Sequence, residues 1–270
     1  MKTGVLLMAH GAPERIEHVE AYLRRVLIRR PPTPEFVAEF VERYRRIGGV
    51  SPLLRITREQ ATALEKRLGL PVFVGMRNWG PFIADAVTQA RAEGVGRLVG
   101  LALAPQYARA SVGAYHAALE KTGMPSVLVR SWHLEPALLE FWRKATAGKD
   151  FVLFTAHSIP SEGAEPYPAQ LAEMAEAIAT GPHALAYQSR SPSPVPWLGP
   201  EVPELLPRLQ GAVSVAPIGF VSDHLEILYD LDILHRGQAE TAGLSWERLP
   251  MPNADPLLVE ALASAVGKVL

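Results

Sequence analysis

Alternation is the feature that most constrains this chain. Short, nearly continuous apolar runs recur between amphipathic stretches of helical length. The apolar runs, at residues 4–10, 71–76, 97–105, 126–131, 150–157, 183–188, 213–220 and 246–250, read as strands. The amphipathic stretches, at 15–28, 34–47, 58–68, 81–92, 111–121, 135–147, 168–179, 200–209, 223–236 and 256–269, read as helices. Strands that are apolar on both faces belong in a parallel sheet covered by helices on both sides. The pattern therefore predicts an α/β fold.

The strands divide into two sets of four, and the sets echo one another. Val5-Leu6-Leu7-Met8-Ala9-His10-Gly11-Ala12-Pro13 resembles Val152-Leu153-Phe154-Thr155-Ala156-His157-Ser158-Ile159-Pro160. Leu103-Ala104-Pro105-Gln106 stands to the first set as Ala216-Pro217-Ile218-Gly219 stands to the second. The echo predicts two similar doubly wound, Rossmann-like domains with parallel four-stranded sheets. We place them at 1–147 and 148–270, facing across a cleft, with Gly148 and Lys149 at the break. Strand C-termini are where such sheets place ligands. His10 and His157 should then stand on opposite sides of the cleft.

The richest stretch for chemistry is Phe220 to Asp230, which follows the seventh apolar run. A helix starting at Ser222 or Asp223 would put Glu226 and Asp230 on one face. The same residues also fit a plain capping box between Asp223 and Glu226. Gly48-Gly49-Val50-Ser51-Pro52 could offer backbone N–H groups and a hydroxyl to an anion, or serve only as a turn. The loop 188–200, with Arg190, Ser191, Ser193 and Trp197 among prolines, reads as a linker or as a stiff wall for a flat ligand.

Net charge is −1 with no basic tract, which argues against nucleic-acid binding. Arg24, Arg25, Arg29 and Arg30 form a local cluster suited to small anionic groups. No cysteine is present, which excludes disulfides, thiolate zinc sites, cysteine-ligated iron–sulfur clusters and a cysteine nucleophile. No apolar run reaches transmembrane length and the N-terminus lacks a signal-peptide pattern. These features predict a soluble cytoplasmic protein.

Four stretches carry a family resemblance: Thr155–Pro160, Ala186-Tyr187-Gln188-Ser189-Arg190, Pro196-Trp197-Leu198-Gly199-Pro200 and Pro217 to Glu226. Together they resemble the ferrochelatases, which insert ferrous iron into a porphyrin in haem biosynthesis. The likeness runs from Leu6 through the Gly48–Leu53 stretch to Met251-Pro252-Asn253-Ala254-Asp255-Pro256. Its short N-terminus, lack of cysteine and lack of a C-terminal extension resemble the soluble bacterial branch. Ala104-Pro105-Gln106 and Met251–Pro256 lean toward the branch using coproporphyrin III rather than protoporphyrin IX.

The resemblance implies roles for particular residues. His157 and Glu226 would be the catalytic pair and the metal site, with Asp230 further out. Arg43, Tyr44, Ser51, Arg77, Asn78 and Tyr115 would contact the porphyrin. Fe(II) would be a substrate, with no tightly bound cofactor and no iron–sulfur cluster. Partners would be the porphyrin and ferrous iron, with transient contact to neighbouring haem-pathway enzymes, no nucleic acid and no transmembrane anchor. Four positions depart from the family pattern. The acidic row of Glu226 and Asp230 meets Leu234 at the next place. His10 stands where the soluble branch commonly has Tyr, and could meet the metal from the opposite ring face. Leu27 and Ile28 replace frequent basic residues, beside Arg29 and Arg30.

Imidazole and carboxylate donors suit Fe(II) but also accept Zn(II) or Co(II). Two other functions use the same features. One is a cobalt or nickel chelatase of a sirohydrochlorin-type ring. The other is a non-enzymatic haem or porphyrin carrier with His10 as axial ligand.

Overall fold

The computed structural model describes residues 2–27, 31–191 and 194–270. Ile28, Arg29, Arg30 and Ser193, which figured in the sequence reading, lie outside the described residues. Each expected apolar run forms a strand. β1 (Lys2–Ala9), β2 (Val72–Met76), β3 (Val95–Ala102) and β4 (Ser126–Val129) make one sheet. β5 (Val152–His157), β6 (His183–Gln188), β7 (Ala212–Ala216) and β8 (Ser245–Arg248) make another. Every pairing within them is parallel.

The two sheets share one strand order, β2-β1-β3-β4 and β6-β5-β7-β8. In each, the chain leaves the first strand to one side and returns on the other for the third. That reversal opens a crevice at the strand C-termini. His10 follows β1 and His157 ends β5 at the two reversals. Val5, Leu6, Leu7 and Met8 are fully buried, as a strand covered on both faces requires.

The helices are α1 (Val19–Val26), α2 (Pro34–Arg46), α3 (Leu53–Leu68), α4 (Ile83–Ala92), α5 (Val112–Glu120) and α6 (Pro136–Thr146), then α7 (Tyr167–Ile178), α8 (Val202–Leu205), α9 (Arg236–Thr241) and α10 (Pro256–Gly267). α3 starts earlier than its periodicity suggested. The Pro52 carbonyl accepts from Ile56 N at 3.0 Å and Ser51 Oγ from Leu53 N at 3.3 Å, so Ser-Pro opens the helix.

The covering helices cross between the halves. α6 follows β4 yet lies against α7, α10 and β7, while α10 follows β8 yet packs on α3 and α6. One apolar cluster therefore holds both sheets, from Leu7 and Leu64 through Trp142 to Phe154 and Leu262. Among the described residues, no helix is long and apolar enough to cross a membrane.

The stretch after β7 departs from expectation. A π-helix spans Glu226–His235, and neither Ser222 nor Asp223 caps it. Asp223 is engaged elsewhere: its backbone N–H donates to Asn253 Oδ1 at 2.8 Å and its carboxylate accepts from Asn253 Nδ2 at 2.7 Å. Arg248 adds an ion pair to Asp223 at 3.3 Å. The capping box offered as the plainer reading does not form: Leu225 precedes the helix, and Asp223 and Glu226 are engaged with other partners. Of the two readings of the Gly-Gly stretch, the turn is the one that forms. Gly48 and Gly49 donate their N–H groups to the Arg45 and Tyr44 carbonyls at 3.1 and 2.8 Å, closing α2 rather than facing an anion.

Candidate functional site

The two strand-end histidines are built alike. His157 Nδ1 is hydrogen-bonded to the Ser158 carbonyl. His10 Nδ1 lies 3.1 Å from the Gly11 carbonyl. A carbonyl only accepts, so Nδ1 carries the proton in both rings and Nε2 is the nitrogen presented outward. The Tyr22 oxygen lies 3.1 Å from the same His10 nitrogen and fixes that ring further.

The wall around His157 is held tightly. Tyr167 donates its hydroxyl to the His157 carbonyl at 3.1 Å. Ser158 Oγ donates to the Leu198 carbonyl at 2.7 Å, and Leu198 N donates to the Ile159 carbonyl at 2.9 Å. These bonds set Trp197 beside the His157 ring, centroids 6.5 Å apart. Behind the strand, Gly219 lies against Ala156, where an added Cβ would sit 2.6 Å from the Ala156 methyl. Only a residue without a side chain permits that approach.

Glu226, the first residue of the π-helix, meets both neighbouring imidazoles. Its Oε1 lies 3.4 Å from His157 Nε2 and its Oε2 lies 3.6 Å from His224 Nε2. The His157 and Glu226 side chains keep 30% and 34% of their surface exposed, so the pair is open to a ligand. Gln188 Nε2 donates to the Glu226 carbonyl at 3.1 Å. Short π-helical segments concentrate at functional sites.

Burial disfavours the charged forms of both partners, but their mutual attraction outweighs it. The Glu226 charge and hydrogen bond hold the His157 pKa up at about 9. His157, and then His224, hold the Glu226 carboxyl well below the ordinary range. Desolvation of its ring by the surrounding wall lowers the His10 pKa, against the pull of Glu226, although the residue as a whole stays exposed to solvent. Burial, reinforced by the Glu226 charge, lifts Asp230 to about 6. Ser189 Oγ donates to Asp230 Oδ2 from a backbone held at φ 61. The Glu226 charge also reaches Tyr22, Tyr44, Tyr115 and Tyr167, whose hydroxyls burial already pushes up. Groups from both halves therefore feel the charge of one carboxylate.

Other expected residues are placed as follows. Arg43 pairs with Glu39 and lies over the Phe40 and Tyr229 rings, close enough to Asp230 to oppose its rise. Tyr44, Ser51 and Tyr115 are buried. Arg77 N and Asn78 N donate to the Ala9 and His10 carbonyls at 2.9 Å, tying that pair to the end of β1. Arg77 also donates to the Ala110 carbonyl at 3.1 Å. Leu234 is exposed, and no carboxylate extends the row beyond Asp230. Arg24 pairs with Glu20 and Arg25 lies over Phe82.

Sequence reasoning gave neither His224 nor Tyr22 a role in the site. His224 stands two places before Glu226, so its position was the available signal. Tyr22 lies inside an ordinary amphipathic helix and gave none. Among the described residues, no group of three or more His, Cys, Asp or Glu is arranged to hold a metal ion. The imidazole and carboxylate of His157 and Glu226 are donor types that suit divalent first-row cations.

The sequence model of the ferrochelatases matches residues 2–270. A coproporphyrin III ferrochelatase of Halalkalibacterium halodurans is 37% identical, with 100% of this chain and 97% of that protein covered. One from Geobacillus thermodenitrificans is 38% identical, with 99% and 96% covered. Among solved structures, SirB from Bacillus subtilis with Fe3+ superposes with a TM-score of 0.63 at 8% identity, covering 99% of this chain and 95% of that one. CbiX, the terminal enzyme of sirohaem biosynthesis in denitrifying bacteria, gives 0.56 at 12% identity, with 99% of each chain covered. At those identities the likeness is one of fold.

Proposed function

This chain belongs to the ferrochelatase family, and from that premise we propose how its cleft works. It is an iron chelatase of a tetrapyrrole. Its substrate is coproporphyrin III, a reading supported by relatives of that name matched over nearly the whole chain. The observation that carries the mechanism is the 3.4 Å contact between His157 Nε2 and Glu226 Oε1.

Insertion replaces two pyrrole N–H protons with one divalent cation, so two protons must leave. At neutral pH the pair is an imidazolium beside a carboxylate. An arriving cation repels the His157 proton, and the freed Nε2 and the Glu226 carboxylate pass the metal to the ring. Once the metal has left them, the imidazole and the Glu226 carboxylate take the two pyrrole protons, a task near neutral pH that suits the imidazole. Asp230 lies further out and relays protons or metal. His10 presents Nε2 from the other wall, where it meets the metal on the opposite ring face. Arg43, Tyr44, Ser51, Arg77, Asn78 and Tyr115 hold the macrocycle and its carboxylates, after side-chain movement where they are now buried. A bent ring exposes its nitrogen lone pairs, and walls shaped for it bind that form differentially.

In this reading residues 1–147 and 148–270 supply the two walls. The enzyme works in the cytoplasm and meets neighbouring haem-pathway enzymes only transiently. The test is an anaerobic Fe(II) assay run side by side with coproporphyrin III and protoporphyrin IX. Faster turnover of coproporphyrin III is expected. Preference for protoporphyrin IX would overturn the substrate, and stoichiometric binding without turnover would overturn the mechanism.

A further inference from the structure

The segment that brings Glu226 to the cleft is gripped from the other half of the chain. Gln60 of α3 is fully buried. Its Nε2 donates to the Asn253 carbonyl at 2.7 Å and to Ser222 Oγ at 2.9 Å. A carbonyl cannot donate, so the amide nitrogen must face Asn253, and both its hydrogens are used. Turning the amide over would set oxygen against oxygen.

From Ser222 the connection continues to the carboxylate. The Ser222 carbonyl accepts from His224 Nδ1 at 2.9 Å, which leaves His224 Nε2 facing Glu226 Oε2 at 3.6 Å. Asn253, held at φ 46, brackets Asp223 with its side chain and donates its N–H to the Val221 carbonyl at 2.9 Å. A second buried glutamine of the first half, Gln106, donates to the Ile218 carbonyl at 3.0 Å. The segment 218–222 is thus tied at both ends to elements of the first half.

We propose that Gln60 is a positioning residue for Glu226. Through Ser222 and His224 it fixes the carboxylate's orientation, and its place on α3 registers that carboxylate against the opposite wall. The inference rests on the reading that His157 and Glu226 hand over the metal. Catalytic geometry is sensitive to displacements of about 1 Å, so loosening this tie should act on turnover more than on binding.

The experiment compares Gln60→Met with Thr57→Val and Glu226→Gln in the full chain. Methionine keeps the volume and removes both donors. Thr57 is a buried control in the same helix, donating only to the Leu53 carbonyl at 2.8 Å. Zn(II) insertion gives kcat and the porphyrin KM, and thermal melting gives stability. For Gln60→Met we expect kcat to fall ~10–100-fold, the range for residues that orient a metal ligand. KM should stay within about twofold. Thr57→Val should keep kcat despite a lower Tm. Wild-type kcat in Gln60→Met, or a loss no larger than in Thr57→Val, overturns the proposal. Retained insertion by Glu226→Gln overturns the underlying pair instead. Should Gln60→Met fail to fold, Ser222→Ala removes one link of the chain. A lower kcat at unchanged KM then supports the proposal, and an unchanged kcat refutes it.

Discussion

The Nε2 of His157 and the Oε1 of Glu226 lie 3.4 Å apart, although one ends a strand and the other opens a helix beyond a different strand. Proton transfer by a positioned side chain contributes roughly 10²–10⁴-fold to rate. His157→Ala and Glu226→Gln should each lose metal insertion by about that much while still binding porphyrin. Stopped-flow insertion and fluorescence titration of free-base porphyrin separate the two quantities. Full activity in His157→Ala would remove the histidine from the mechanism. Asp230→Asn should lose less, since in the proposed mechanism Asp230 only relays protons or metal.

The pair also sets a pH dependence. The His157 pKa is raised to about 9, so its stabilising contribution is complete below the unfolded value near 6.5 and disappears as pH rises through about 9. Asp230, raised to about 6, favours the fold at low pH and loses that contribution as pH rises from 3.8 through about 6. Between pH 7 and about 9 the His157 effect dominates, so Tm should decline. The same comparison in His157→Ala should be nearly flat, and an equal decline there would assign the effect to another group. Insertion should speed up over that interval, because the imidazolium must release its proton to bind metal.

Ser189 holds a left-handed backbone and donates to Asp230. A left-handed conformation costs a non-glycine residue roughly 1–2 kcal/mol, and a hydrogen bond to a charged group is worth roughly 1.5–3 kcal/mol. Ser189→Gly relieves the first and loses the second, for a small net destabilisation. Ser189→Ala loses the bond and keeps the strain. Melting temperatures should therefore run wild type, then Gly, then Ala. Alanine matching glycine would show that the backbone carries no strain.

Gly219 offers a steric probe of the wall. An added methyl would lie 2.8 Å from Ala156 Cα, in the strand residue before His157. Overpacking of this kind costs roughly 1–3 kcal/mol. Gly219→Ala should lower stability by that amount and slow insertion, because β5 must shift with its terminal imidazole. Denaturant melts together with the Zn(II) assay test both, and unchanged insertion at reduced stability would separate the wall from the site.

Parts of the site were legible in the chain because they are local. His157 could be found because it ends an apolar run and repeats the placement of His10. Glu226 and Asp230 stood out by spacing. The π-helix was not legible, because the same residues satisfy an ordinary helical pattern, and the capping reading of Asp223 gave way to Asn253 and Arg248. Tyr22 bonds His10 from a helix whose sequence marks it only as amphipathic.

What the sequence alone determined was the sheet content, the duplication and the strand-end histidines. Each is encoded in periodicity and repetition over a few neighbouring residues. What the tertiary structure decided was which groups meet: Glu226 with His157 and His224, Gln60 with Ser222, and α6 with α10 across the halves. These contacts join segments far apart in the chain. Their existence depends on how the covered sheets pack, and no local pattern of side chains records that distance.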